Sequence, residues 1–160
     1  MKVLFVDDEP AILEQAKIFL EKEDNRLNIQ TVVSAEKGLE ILRQEIEDFD
    51  AVVSDYQMPE MNGLEFLENL RERHSGIPFI IFTGRGREEV AMKALNLGAD
   101  RYLQKGGDPK VQYDMLRDAI VQEIENRKTE LRAESYARDL KETFNSLGEV
   151  AFLMDKNHNI

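Results

Sequence analysis

The chain of 160 residues has no cysteine, which excludes disulfides, zinc–thiolate centres and thiol catalysis. It has only two histidines. His74 and His158 sit in turn-like surroundings, neither has a second metal ligand at useful spacing, and both read as surface residues. Basic charge is scarce: 21 lysines and arginines face 32 aspartates and glutamates, a net charge of −11. Such a chain gains nothing from bulk attraction to a polyphosphate backbone, so nucleic acid is not an expected partner. Long apolar runs are also missing. The longest, residues 3–6 and 77–82, are too short to span a membrane or to serve as a signal segment. A cytoplasmic protein without membrane contact is expected.

Hydrophobic residues make up 42% of the chain, enough for a real core. Their spacing alternates between two patterns. Lys2-Val3-Leu4-Phe5-Val6 is a buried-strand run that stops at Asp7-Asp8-Glu9. Pro10 suits a first helical turn, and Ile12, Leu13, Ala16, Phe19 and Leu20 predict an amphipathic helix over 9–23. A strand around Leu27, Ile29 and Val32-Val33 follows, then a helix capped by Ser34 and running to about Gln44. Ala51-Val52-Val53-Ser54 is the third strand, and Leu64, Phe66, Leu67 and Leu70 mark the third helix. Residues 78–82 form the fourth strand and 88–97 the fourth helix, stopped by Gly98. Arg101-Tyr102-Leu103-Gln104 is a short fifth strand. Asp108-Pro109 caps a fifth helix. Five strands alternating with five helices predict an α/β fold, a doubly wound, flavodoxin-like parallel sheet of order 2-1-3-4-5.

In that order the polar strand ends converge. Strand one ends in Asp7-Asp8, strand three in Asp55, strand four in Thr83, and Lys105 follows strand five. Strand two lacks such a residue, and it lies outside the crevice at the switch point between strands one and three. Taken singly, each residue has a plainer reading. Asp7, Asp8 and Asp55 could cap helices or start loops, Thr83 could be ordinary strand, and Lys105 could be surface charge. Together they specify a chemistry. Three carboxylates about 5 Å apart repel by about 3 kcal/mol per pair at an effective dielectric near 20. A hard divalent cation relieves that cost, and an all-oxygen site suits magnesium. A carboxylate oxygen left free can act as a nucleophile. Lys105 and the Thr83 hydroxyl can then neutralise a transferred phosphoryl group.

Val6-Asp7-Asp8-Glu9, Asp55-Tyr56-Gln57-Met58-Pro59-Glu60-Met61-Asn62-Gly63, Phe82-Thr83-Gly84 and Tyr102-Leu103-Gln104-Lys105 resemble the motifs of response-regulator receiver domains. The resemblance covers residues 1–125. It implies that Asp55 accepts a phosphoryl group from a histidine kinase or phosphotransfer protein. It implies that Asp7, Asp8, Asp55 and the backbone carbonyl of Gln57 hold Mg2+, and that Thr83 and Lys105 hold the phosphoryl oxygens. Tyr102 would be an aromatic switch coupled to Thr83, although a partly buried strand tyrosine explains it equally well. The implied protein is a switch with weak self-catalysed phosphotransfer and dephosphorylation, not an enzyme. The family usually follows the lysine with proline, often in a cis bond. Here Gly106-Gly107 follows, which leaves the rigidity of this loop open. Arg85-Gly86-Arg87 reads as solvated loop charge, with a phosphate cradle or a partner contact as the alternatives.

Three rivals fit less well. A haloacid-dehalogenase-type phosphatase needs a second aspartate two residues after the nucleophile, where Gln57 stands. A pseudo-receiver used only for contact has no need of the complete acidic set. A nucleotide-binding Rossmann module lacks its glycine fingerprint after strand one.

No glycine or proline interrupts residues 110–147, so the fifth helix should continue beyond the domain. Leu116, Ile120, Ile124 and Leu131 form one apolar seam. Ala133, Ala137, Leu140, Phe144 and Leu147 form a second at alternating spacings of four and three. The seams fall out of register near Arg127-Lys128, as at a stutter. Residues 126–147 are thus expected to be a helical linker forming a short coiled coil and a weak homodimer. Residues 148–160 read as a strand and a polar turn, resembling the truncated start of a PAS sensor domain. On that reading the chain is a fragment, and a C-terminal sensor or output domain follows in the longer protein.

Overall fold

The computed structural model describes residues 1–73 and 76–158; for 157 and 158 it describes the backbone alone. The expected surface placement of His74 lies outside the described residues, as does that of the His158 side chain. The elements are β1 (Lys2–Val6), α1 (Pro10–Glu23), β2 (Asn28–Val32), α2 (Ala35–Glu45), β3 (Ala51–Ser54), α3 (Gly63–Arg73), β4 (Phe79–Thr83), α4 (Glu88–Asn96), β5 (Arg101–Gln104) and α5 (Pro109–His158). A single 3-10 turn, Ile46–Asp48, extends α2.

All strand pairs are parallel, and their order is β2-β1-β3-β4-β5, as expected. Alternation along each central strand feeds two cores, because successive side chains leave a sheet on opposite faces. Val3, Phe5, Ala51, Val53, Ile80 and Phe82 pack with α1 and the first turns of α5. Leu4, Val6, Val52, Phe79 and Ile81 pack on the other face with α2, α3 and α4. Both faces are covered, which explains why β1, β3 and β4 read as continuous apolar runs.

The turns follow local chemistry. Ser34 accepts a hydrogen bond from the Lys37 amide at 3.3 Å. Asn62 Oδ1 accepts from the Leu64 and Glu65 amides, and Glu65 Oε2 accepts from the Asn62 amide, each at 2.9 Å. This reciprocal capping box starts α3 beside the loop that follows Asp55. Asp108 caps α5 through the Lys110 amide at 2.8 Å.

The chain divides into two units, Met1–Glu125 and Asn126–Ile160. In the first, Leu116, Ile120 and Ile124 are buried against the sheet. In the second, Leu131, Leu140, Phe144 and Leu147 are exposed. The strand expected after Gly148 is not found: the helix runs on through His158. The physical reason is pairing. An extended segment leaves its N–H and C=O groups open unless a sheet edge takes them, and this unit has no strand among the described residues. A helix satisfies those groups within itself, and carrying Gly148 costs it only about 1 kcal/mol relative to alanine. Nothing in the described residues supports the PAS-like reading, and Asn159 and Ile160 lie outside them. Among the described residues no helix is long and apolar enough to cross a membrane.

Candidate functional site

Four of the five strands, β1, β3, β4 and β5, deliver groups to the carboxyl edge of the sheet. β1 hands over to Asp7, which is fully buried, and Asp8, which is exposed. Both carboxylate oxygens of Asp7 are occupied by donors in the interior. Oδ1 accepts from the Glu9 amide at 2.9 Å, and Oδ2 accepts from Lys105 Nζ at 2.6 Å. β3 hands over to Asp55, also buried, whose own amide continues the ladder to the Val6 carbonyl at 2.9 Å. Thr83, the last residue of β4, is buried, and its carbonyl accepts from the Lys105 amide at 2.8 Å.

One ligand oxygen each from Asp7, Asp8 and Asp55 lies within 4.8 Å of the others. Lys105 Nζ is 3.8 Å from Asp55 Oδ1. Burial pushes the Asp55 carboxyl above the usual carboxylate range, and the charge of Asp7 adds to that. Lys105, the Thr83 hydroxyl and the Tyr56 amide pull it back. The Tyr56 amide donates to Asp55 Oδ1 at 2.8 Å. Asp55 is thus an uncomfortable carboxylate, desolvated and near like charge, which a cation or an acyl-phosphate bond to phosphorus would relieve. Three hard oxygen donors open to solvent through Asp8 fit a divalent cation such as magnesium, which keeps part of its water shell.

An open crevice lies above this cluster. Asp8, Asp55, Gln57, Thr83, Gly84 and Lys105 line it, and Arg85 stands at its rim. Every residue singled out from the sequence for phosphoryl or metal chemistry therefore meets at one place. Tyr102 stands apart. Its ring packs against the core on the α4 side, and its hydroxyl is buried without a partner among the described residues. Burial raises its pKa, with Tyr56 and Asp55 adding to the effect.

Two residues were missed in the sequence. A Cβ on Gly63 would overlap the Asp55 carbonyl oxygen, so only glycine lets α3 begin there. Gly86 leaves room for the Tyr102 hydroxyl, which a Cβ would meet at 2.7 Å. Asn62-Gly63 announces only a turn, and the close approach it permits is not visible in one dimension.

The response regulator receiver domain family matches residues 3–120. The chain belongs to that family. The response regulator SaeR of Staphylococcus aureus is 32% identical over 108 residues, 68% of this chain and 45% of the relative. The chain thus spans about half the length of that curated relative. A receiver domain protein from Clostridium thermocellum superposes with a TM-score of 0.72 at 32% identity, covering 81% of this chain and 98% of that one. A CheY-like receiver domain protein from Methanospirillum hungatei gives 0.70 at 31% identity, covering 81% and 97%. Receiver domains as a family are phosphoacceptor switches, and this receiver has a general role in two-component signalling.

Proposed function

We propose that this receiver takes a phosphoryl group onto Asp55 from the phosphohistidine of a sensor kinase or phosphotransfer protein, and that the change regulates a downstream domain or partner. The observation that carries this reading is the meeting of Asp7, Asp8 and Asp55 within 4.8 Å, with Lys105 Nζ 3.8 Å from Asp55 Oδ1. In the transfer, an Asp55 carboxylate oxygen bonds to phosphorus as the bond from phosphorus to the donor imidazole breaks. The imidazole leaves with the electron pair and gains a proton. Asp7, Asp8, Asp55 and the Gln57 backbone carbonyl would hold magnesium, which supplies neutralising charge to phosphoryl oxygens. Lys105 leaves Asp7 to meet a phosphoryl oxygen, and the Thr83 hydroxyl donates to another. Water later attacks the same phosphorus and frees Asp55.

Intact mass tests this. After incubation with magnesium and a small acyl phosphate, wild type is expected to gain one phosphoryl group and Asp55→Asn none. An adduct that persists in Asp55→Asn would place the acceptor elsewhere.

Tyr102 is proposed as the element that reports Thr83 movement. Residues 126–158 are proposed as the transmitting segment, pairing weakly with a second copy through Ala137, Leu140, Phe144 and Leu147. The exposure of these apolar side chains supports that role. A monomer in sedimentation equilibrium at high protein concentration would overturn the pairing.

A further inference from the structure

The loop after Lys105 has little to hold it. Gly106 has a φ of 147° and Gly107 a φ of 77°, both in the range that favours glycine. Apart from the adjoining residues of the chain, no atom lies within 4 Å of where a Cβ on either would stand. Glycines free to move on both counts would let Lys105 wander, yet its ammonium must sit against Asp7 and near Asp55. One bond answers this. The Gly106 amide donates to Gln112 Oε1 at 2.9 Å. Among the described residues, Gln112 is the only side chain that hydrogen-bonds either glycine.

Gln112 lies in the first turn of α5, next to Tyr113, which is buried and fixed on three sides. Tyr113 stacks on Phe19 with ring centroids 5.2 Å apart, packs beside Phe82 at 6.1 Å, and donates to Gln15 Oε1 at 3.2 Å. Phe82 in turn carries Lys105 Nζ 5.5 Å above its ring. The Gln112 carbonyl therefore projects from a rigid point. A proline at position 106 would have no N–H to give it.

We propose that Gln112 is a positioning residue for Lys105, holding the two-glycine loop by the Gly106 amide so that the ammonium meets the phosphoryl group on Asp55. The proposal rests on the phosphoacceptor reading above. It acts through a bond that exists only because the residue after the lysine is not proline.

The test is a double-mutant cycle on the full chain. Gln112→Leu keeps the size and removes the acceptor; Gln112→Glu keeps an acceptor oxygen. Gln112→Leu is expected to slow acyl-phosphate labelling of Asp55 by about three- to tenfold, the worth of one hydrogen bond. Gln112→Glu should restore most of the rate. In a Lys105→Met background, Gln112→Leu should change nothing further, because the group it positions is gone. A wild-type rate in Gln112→Leu, or the same slowing with and without Lys105, would overturn the proposal. Heteronuclear NMR of 15N-labelled protein supplies a readout independent of transfer. Gln112→Leu is expected to expose the Gly106 amide to exchange and to shift the Lys105 ammonium signal. If wild type takes no phosphoryl group, the phosphoacceptor reading fails by itself, and an unchanged Lys105 signal in Gln112→Leu then sinks the positioning role.

Discussion

Lys105 Nζ is closer to Asp7 than to Asp55: 2.6 Å from Asp7 Oδ2, against 3.8 Å from Asp55 Oδ1. The ammonium thus occupies the acidic cluster from within and balances one of its buried charges. It competes there with any cation that enters from solvent.

Removing that competitor should tighten metal binding. Lys105→Met is expected to raise magnesium affinity by about three- to tenfold, a small part of the Coulomb energy of charges at this range, because the crevice is wet. Isothermal titration calorimetry would measure it. The same variant should slow phosphoryl transfer to a low but measurable rate, so affinity and activity move in opposite directions. Weaker magnesium binding would mean that Lys105 chiefly orders the carboxylates.

The raised pKa of Asp55 has a sign in stability. Folded Asp55 holds its proton to higher pH than the unfolded chain does. Stability attributable to this group therefore falls as pH rises through the range between the unfolded and folded pKa values. Without magnesium, Asp55→Asn should melt at a higher temperature than wild type at neutral pH. The difference should vanish in acid, where both states carry the proton. Melting curves from acid to neutral pH would show it. An advantage of Asp55→Asn that grew in acid would refute the argument.

Gly63 tests how tightly the site is framed. Gly63→Ala must push α3 away from the Asp55 carbonyl, since backbone cannot yield as a side chain can. A loss of about 1–3 kcal/mol in urea unfolding is expected from such overpacking. Phosphorylation should slow as well, because the Gly63 amide donates to the Tyr56 carbonyl at 2.8 Å and braces the loop after Asp55.

Tyr102 carries a buried hydroxyl without a partner among the described residues, so packing holds the ring there. Tyr102→Phe is expected to stabilise the fold by up to about 1 kcal/mol, read from the denaturant midpoint. Gly86→Ala should do the reverse at this spot and drive the ring outward. Tyrosine fluorescence or the aromatic NMR signals of Tyr102 would report the displacement. An unmoved ring in Gly86→Ala would mean that the loop, not the tyrosine, yields.

Much of this receiver was legible in one dimension because its signals are local. Buried parallel strands are apolar throughout, helices show their period, and Ser34, Asp108 and Gly98 punctuate them. Asp7, Asp8, Asp55, Thr83 and Lys105 all stand at strand ends, and the order 2-1-3-4-5 turns that position into proximity. The segment after Gly148 misled for the same reason. Its β-favouring residues argue for a strand, but a strand is a property of a pair. With no partner strand among the described residues of its own unit, the backbone closed its hydrogen bonds as helix.

What the sequence determined by itself, then, is what depends on short spacing: the elements, their alternation, and the acidic and basic groups at their ends. Only the tertiary structure decided how those groups share their charges. Lys105 and Asp7 are 98 positions apart, and their bond exists because β1 and β5 deliver them to the same edge. The need for glycine at 63 and 86, and the hold of Gln112 on the loop after Lys105, arise likewise from close approach between distant segments. Steric exclusion and hydrogen bonding act over a few ångströms of space, and only the folded chain defines which residues that space contains.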